Sequence, residues 1–275
     1  MSDTGFPRIE GYLTDVMDFV TTLARDLDSG KIGSWPVMTE RVRDFFIPAR
    51  LDEVEGTIPG WRQMSSYADG ITLVHVMSAV AALFLCPEYQ AATEHQQALT
   101  KWIVLLHDID KKVLNGKRDP THAFRSAAKA GQIIARLGFE VTEQYKARAN
   151  GWVRLTESAT VIQGHTSIPD NRRLSEIVKG LEEIFGQATP SALVVKTILF
   201  HLSVNVVKRW PQAAPLSAAQ TRKYISFELL PLLKVMMLVD NDAWNLFDRS
   251  LRERFRAETL LVFREMERTL RDRGS

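Results

Sequence analysis

Residues 102–111 read Trp-Ile-Val-Leu-Leu-His-Asp-Ile-Asp-Lys, an apolar run that leads directly into an adjacent histidine and aspartate. Burying a carboxylate beside an imidazole at the inner end of such a run costs free energy unless a partner compensates the charge. A divalent cation is the strongest compensating partner, although an isolated His-Asp pair is more often an ordinary helix end. Whether His107 and Asp108 bind a metal ion therefore depends on the rest of the chain.

The composition is that of a soluble globular protein with a sizeable core. Of 275 residues, 45% are hydrophobic and 25% are charged, which are ordinary globular values. A formal net charge of +2 gives no electrostatic reason to expect a nucleic-acid or membrane partner. No run approaches the roughly 18 apolar residues of a membrane span, and the N-terminus lacks a secretory signal pattern. With a single cysteine, Cys86, we expect a cytoplasmic protein in a reducing compartment.

Helical spacing of apolar residues runs through most of the chain, and the most apolar stretches carry metal-competent side chains. Residues 68–85 are apolar almost all round, which is typical of a central buried helix, and they contain His75. A second apolar run, which starts at Phe227, ends in Asp240-Asn241-Asp242. No stretch shows the alternation that is typical of strand hairpins. The sequence therefore predicts an all-α fold.

Residues 119–137 form another candidate helix with chemistry-bearing side chains. Asp119-Pro120 has the pattern of a helix start, with an N-cap side chain and a proline in the first turn. The spacing i, i+3, i+4 and i+7 then places four side chains on one face: His122, Arg125, Ser126 and Lys129. Such a face could bind an anion, although a solvated surface stripe is the commoner case.

Two more histidines lie near apolar segments further along the chain. Helical spacing over residues 142–163 predicts a helix that ends just before His165. Thr189-Pro190 opens another predicted helix, and its apolar body carries His201. Either histidine could join a metal site.

Taken together, these residues resemble the ordered pattern of the HD superfamily of metal-dependent phosphohydrolases. That pattern is a His, then an adjacent His-Asp pair, then a distant Asp, all on helices. Residues 106–111, Leu-His-Asp-Ile-Asp-Lys, are similar to the family motif Leu-His-Asp-Ile-Gly-Lys, with Asp110 in the glycine position. The resemblance implies a single HD-like metal-binding helical core over residues 68–248. It would be flanked by an N-terminal helical extension (1–67) and a C-terminal helix (249–275).

The resemblance also implies a metal site and its ligands. One divalent ion would be bound by His75, His107, Asp108 and Asp240, with Asp242 as the alternative to Asp240. A second ion would be bound by His122 with either His165 or His201. Mixed imidazole and carboxylate ligation selects weakly among metals, so Mn, Fe, Co, Ni, Zn and Mg all remain open.

The activity that the resemblance implies is hydrolysis of a nucleotide or another small-molecule phosphoester. Asp108 would be both a metal ligand and the group that orients the attacking water. Lys111, Arg125 and Lys129 would neutralise the phosphate, with Lys111 and Arg125 acting in catalysis. Two alternatives remain: a di-iron oxygenase of the same superfamily, and a non-catalytic nucleotide-binding signalling module, which the Asp110 substitution keeps open.

Overall fold

Helices make up most of the computed structural model, which describes residues 5–112, 119–163, 166–204 and 215–272. The N-terminal helices are α1 (Thr14–Asp28), α2 (Trp35–Phe45), α3 (Pro48–Thr57), α4 (Trp61–Ser66) and α5 (Ile71–Phe84). The middle helices are α6 (Pro87–Gln90), α7 (Glu94–Leu106), α8 (His122–Arg136), α9 (Tyr145–Ser158), α10 (Leu174–Phe185) and α11 (Pro190–Phe200). The last helices are α12 (Ala218–Tyr224), α13 (Leu229–Trp244) and α14 (Arg249–Arg271). Short 3-10 turns lie at Ile9–Gly11, Tyr67–Gly70 and Asn171–Arg173. The predicted all-α fold is confirmed.

One small β-hairpin departs from the predicted pattern. Helix α9 ends at Ser158, and β1 (Thr160–Gln163) pairs antiparallel with β2 (Thr166–Pro169). The prediction of a helix over residues 142–163 is therefore wrong in its last part. The physical reason lies in the β-branched run Thr160-Val161-Ile162, because such residues favour strands. The strands are too short for alternation to stand out in the sequence.

Helix α8 starts later than the sequence predicts. Its first helical residue is His122, and Thr121 precedes it without a side-chain cap. The Asp119 carboxylate is not an N-cap because it accepts other hydrogen bonds, from the Lys112 backbone N–H at 2.8 Å and from the Arg125 guanidinium. Asp119 therefore connects Lys112 with Arg125 of α8, and His122 occupies the first position of the helix.

The core surrounds the central helix α5, whose residues from Thr72 to Leu83 are buried without interruption. Helix α5 packs on α7 and α13, while α11 packs on α7, α8 and α13. The fully buried rings of Trp102 in α7 and Phe124 in α8 belong to this core. Complete burial of an apolar side chain stabilises a fold by about 1.5–3 kcal/mol, so these contacts hold the helix ends at fixed positions. The division into residues 1–67, 68–248 and 249–275 stays a prediction.

One segment, Trp61–Phe84, is long and apolar enough to cross a membrane by length and composition, with a mean hydropathy of 1.5. Inside the fold, 67% of its most apolar window is buried, as in the core helix of a soluble protein. Ala68 and Asp69 also interrupt it, because both adopt the left-handed backbone conformation between α4 and α5. The segment is weak evidence for a membrane span.

This interruption leads to a stability prediction. Ala68 has a φ of 52°, and the left-handed conformation costs a residue with a Cβ roughly 1–2 kcal/mol. Glycine adopts it freely but loses more backbone entropy on folding, so Ala68→Gly should raise the free energy of unfolding by about 0.5–1 kcal/mol. Urea denaturation measures the change. Ala79→Gly, in the middle of α5, is the control and should be destabilising; a lower stability for Ala68→Gly would contradict the prediction.

Candidate metal centre

Five parts of the core bring six metal-competent side chains to one point. They are His75 in the middle of α5, His107 and Asp108 directly after α7, His122 at the start of α8, His201 directly after α11, and Asp240 in α13. The four imidazoles and Asp108 are buried, while the Asp240 side chain is 17% exposed. The cluster therefore lies in the core and reaches solvent on the side of Asp240.

The local structure of α7 explains how the His-Asp pair reaches this point. A capping box between Thr93 and Gln96 fixes the start of the helix, and capping typically contributes about 1 kcal/mol. Every residue from Leu99 to Leu106 is then buried except Lys101, whose side chain is 19% exposed. Because the helix is held at its start and along its length, His107 and Asp108 emerge at its buried end.

The first group of ligand atoms surrounds the Nε2 atoms of His75 and His107, which lie 3.4 Å apart. His75 Nε2 is 2.9 Å from Asp240 Oδ1 and 3.6 Å from Asp108 Oδ2. His107 Nε2 is 3.5 Å from Asp108 Oδ2 and 3.7 Å from Asp240 Oδ1. Ligands at about 2.1 Å from one ion lie roughly 3.0–3.4 Å from each other. This group therefore has close to the dimensions of a metal-binding set.

The second group shares Asp108 with the first. His122 Nε2 lies 2.9 Å from Asp108 Oδ1 and 3.2 Å from His201 Nε2. The candidate ligand atoms of Asp108, His122 and His201 all lie within 4.8 Å of one another. Asp108 thus directs one carboxylate oxygen towards each group, so it is the residue that the two groups have in common.

Nδ1 contacts indicate which nitrogen carries the proton in three of the four imidazoles when their rings are neutral. Three imidazoles contact a backbone carbonyl three residues earlier through Nδ1: His107 with Val104 (2.7 Å), His122 with Asp119, and His201 with Ile198 (2.7 Å). A carbonyl can only accept, so each Nδ1 is protonated, and in the neutral ring Nε2 is then the unprotonated nitrogen. When both rings are neutral, the lone pairs of His122 and His201 therefore face each other across 3.2 Å. A cation between them would remove this repulsion, and Nδ1–H donation to a carbonyl is the usual arrangement of metal-binding histidines.

Asp108 also has an unsatisfied oxygen. Its Oδ2 accepts a hydrogen bond from Lys111 Nζ at 2.6 Å. Its buried Oδ1 accepts none from the described residues, because the adjacent His122 Nε2, at 2.9 Å, has no proton to donate when that ring is neutral. A buried carboxylate oxygen without a donor is unfavourable by about 1–3 kcal/mol or more. Coordination of a metal ion would offset this cost, so the residues present fit a bound cation.

The surrounding charges hold both site carboxyls in their ionised form. Burial raises the pKa of Asp108, but the neighbouring charges of His107 and Lys111 outweigh it and hold that pKa well below its usual range. Burial likewise raises the pKa of Asp240, but the neighbouring imidazoles of His107 and His75 outweigh it and hold that pKa well below its usual range. Ionised carboxylates are the form that binds metal ions.

The imidazoles differ in how readily they take up a proton. Burial lowers the pKa of His201 to about 3 and also lowers the pKa of His75, so both rings are neutral at pH 7. For His107, burial lowers the pKa, but the carboxylates of Asp108 and Asp240 outweigh it and the net shift is upward. The His107 ring is therefore protonated more often than the His201 ring, and a metal ion that binds at His107 must displace that proton more often.

The three cations that the resemblance assigns to phosphate binding lie in different places. Lys111 Nζ contacts Asp108 and borders the cluster. The Arg125 guanidinium instead binds the Asp119 carboxylate and the Asp110 carbonyl, the latter at 3.1 Å. The Lys129 side chain packs against Gly60, two helical turns away from His122. Of these three side chains, Lys111 is the one that contacts a candidate metal ligand.

The structure also distinguishes between the alternative ligands. Asp240 faces the cluster, whereas Asp242 accepts a hydrogen bond from Arg256 at 2.5 Å. Two helical positions differ by about 200° around the axis, so both carboxylates cannot point the same way. His201 lies beside His122, and His165 lies outside the described residues.

Trp244 also belongs to this site, and its position there was not predicted from the sequence. Its indole stacks on the His75 imidazole with ring centroids 4.3 Å apart and planes inclined by 19°. Lys111 Nζ lies 5.4 Å from the indole centroid. The signal that could have found it is the i, i+4 spacing from Asp240, which places both side chains on one face of α13.

No protein-family model, curated protein or solved structure matches the chain. The functional interpretation therefore depends on the geometry of the site. That geometry is a buried His/Asp cluster that could hold metal ions within a helical fold, which is compatible with an HD-type protein.

The two carboxylates of α13 provide a matched pair of variants. Asp240→Asn should weaken Co²⁺ binding roughly tenfold or more, because an amide oxygen is a poorer ligand than a carboxylate. Asp242→Asn should leave Co²⁺ affinity near wild type, because that side chain faces Arg256. Titration calorimetry measures both affinities. An equal loss in the two variants would show that the assignment to Asp240 is wrong.

Proposed function

We propose that the protein is a metal-dependent phosphohydrolase of the HD superfamily that acts on a nucleotide or another phosphoester. The observation that carries this proposal is the position of Asp108 between two imidazole groups, with Lys111 on its solvent-facing side. His107 lies beside Oδ2 of the Asp108 carboxylate, and His122 lies beside Oδ1. The order of these residues along the chain also agrees with the HD pattern.

The ligands divide into two sets that share Asp108. One ion would be held by His75, His107, Asp108 and Asp240, and a second by Asp108, His122 and His201. Bound divalent ions polarise a phosphoryl oxygen and lower the pKa of water from about 15.7 towards roughly 7. The identity and number of the ions stay open.

The exposure of the surrounding side chains indicates where a substrate would approach. The imidazoles are buried, so they exclude water from the inner side of the cluster. Asp240 is 17% exposed and Lys111 is 19% exposed, while Trp244 is 49% exposed. A phosphoester would therefore enter beside these three residues. There the Lys111 ammonium could move from Asp108 to a phosphoryl oxygen and neutralise its charge.

A di-iron oxygenase is the second candidate, and the number of imidazoles is what favours it. Four histidines in one cluster suit iron as well as zinc, nickel or cobalt. Metal analysis separates the two activities, because two irons per chain with an oxygen-sensitive absorption band would support the oxygenase. Tight nucleotide binding without turnover in any metal-loaded form would instead support a non-catalytic module.

Substituting Lys111 tests the hydrolase. Protein loaded separately with Mn, Fe, Co, Ni, Zn or Mg is screened against nucleoside phosphates, cyclic dinucleotides and simple phosphomonoesters. Lys111→Met should retain metal and lose on the order of 10²–10³ in rate, the usual effect of removing one charge-stabilising donor. Lys112→Met is the matched control, because Lys112 pairs with Asp110 and not with Asp108. Hydrolysis by Lys111→Met at the wild-type rate would contradict the role of this lysine, and no hydrolysis with any metal would contradict the proposal.

A further inference from the structure

His75 differs from the other three imidazoles in how its ring is oriented. His107, His122 and His201 are each fixed by an Nδ1 contact to a backbone carbonyl. The buried Nδ1 of His75 has no hydrogen-bond partner among the described residues. Metal-binding histidines almost always rely on such a partner, on the side of the ring away from the metal, to fix the ring plane. The 2.9 Å contact of His75 Nε2 with Asp240 lies on the metal side, so another contact must orient the ring from the other side.

The face of the Trp244 indole is the contact that can orient the His75 ring. The two rings are nearly parallel, at 19°, and their centroids are 4.3 Å apart. The second ring against His75 is that of His107, but it meets His75 edge-on at 72° and 5.4 Å. A stacked indole restricts rotation of an imidazole about its χ2 angle, because turning the ring would drive its edge into the indole face.

We propose that Trp244 is a positioning residue, which holds His75 by stacking in the orientation that directs Nε2 at the metal. The inference rests on the metal site proposed above and adds to it the group that orients one ligand. Trp244 acts through His75, whose ring it contacts face to face.

Trp244 also contacts a second member of the site. Lys111 Nζ lies 5.4 Å from the indole centroid and 2.6 Å from Asp108 Oδ2. A cation near an aromatic face is attracted to the ring quadrupole. The indole therefore helps to keep the Lys111 ammonium at the entrance to the cluster, which couples Trp244 to both the ligand set and the candidate phosphate-binding cation.

The exposure of Trp244 makes the proposal testable. The side chain is 49% exposed, and it closes α13 at its C-terminal end. Truncating it removes less buried surface than truncating a core tryptophan such as Trp102, so the variants should fold. Phe227→Leu is a matched control, because it removes an exposed aromatic ring just before the other end of α13.

The experiment is a Co²⁺ titration of the full chain followed by a double-mutant cycle. Trp244→Leu should raise the Kd for Co²⁺ roughly tenfold, as is usual when a group that orients a ligand is lost. Trp244→Phe, which keeps an aromatic face, should recover most of the affinity, and Phe227→Leu should bind as wild type. In a His75→Ala background, Trp244→Leu should have little further effect, because the ring that it orients is gone.

A crystal structure of metal-free Trp244→Leu gives a readout that does not depend on metal binding. We expect the His75 ring to turn away from Asp240 in this variant and to keep its orientation in Trp244→Phe. An unchanged His75 rotamer in Trp244→Leu, or an equal loss of affinity with and without His75, would overturn the inference. Absence of Co²⁺ binding by the wild type would refute the metal site itself, while the rotamer comparison would still decide what Trp244 does to His75.

Discussion

Asp108→Ala should remove bound metal and phosphoester hydrolysis together, which is the largest effect we expect from a single substitution. Asp108 directs Oδ2 towards His75 and His107, at 3.6 and 3.5 Å, and Oδ1 towards His122, at 2.9 Å. Its loss therefore takes a ligand from both groups at once. It also removes the buried negative charge that balances Lys111, so the remaining site would repel a cation more strongly.

Metal content by mass spectrometry and hydrolysis under the conditions of the screen measure the two losses. Asp110→Asn is the matched control, because the Asp110 carboxylate faces Lys112 and Arg125 instead of the cluster. Asp108→Asn, which keeps the shape of the side chain, separates loss of charge from loss of packing and should also be depleted of metal. Circular dichroism confirms that the variants are folded. A metal-depleted Asp108→Ala that hydrolyses substrate as fast as wild type would contradict the assigned role.

Chelation of the wild-type protein should lower its melting temperature by on the order of 10 °C. A metal that binds the native state at a concentration 1,000-fold above its Kd adds about 4 kcal/mol of stability, and 1 kcal/mol corresponds to roughly 2–4 °C in a chain of this size. The site suits such coupling, because its imidazoles and Asp108 are buried and unfolding would disperse them. Differential scanning calorimetry before and after exhaustive chelation measures the shift.

Two comparisons sharpen the chelation experiment. Asp108→Ala should melt at the same temperature with and without chelator, because it has lost a ligand from each group. Returning Co²⁺ or Mn²⁺ to the chelated wild type should restore the original melting temperature. If chelation leaves the wild-type melting temperature unchanged although metal has been removed, metal binding contributes nothing to folding and the buried cluster is stable without it.

The sequence predicts those parts of the site that depend on local pattern. The apolar helix that ends in His107-Asp108 can be predicted from the sequence, because helical periodicity and apolar character are local properties. The same holds for His75 inside its apolar helix. What local pattern cannot provide is the direction in which a side chain points once helices pack. Asp240 and Asp242 follow the same apolar run, and only the packing of α13 against α5 and α14 decides that Asp240 faces the cluster.

The parts of the structure that were not predicted depend on contacts between distant segments or on very short elements. The i, i+4 spacing places Trp244 on the same face of α13 as Asp240, but its stack on His75 joins two different helices, so spacing within one helix does not predict that contact. The spacing places Arg125 on the same helix face as His122. Its guanidinium nevertheless donates hydrogen bonds to the Asp119 carboxylate and the Asp110 carbonyl and does not face the cluster. Strand β1 (Thr160–Gln163) was not predicted because a four-residue strand carries too little pattern to outweigh the helical spacing before it.

Anomalous diffraction from wild-type crystals, recorded on both sides of the absorption edge of each candidate metal, tests the central claim most directly. We expect a peak about 2.0–2.2 Å from the Nε2 atoms of His75 and His107, with Asp240 and Asp108 as the oxygen ligands. A second ion would give a peak between Asp108, His122 and His201. Crystals grown with Mn²⁺, Co²⁺ or Zn²⁺ that show no anomalous peak within ligand distance of His107 would contradict the account, and His107-Asp108 would then be an ordinary buried pair at a helix end.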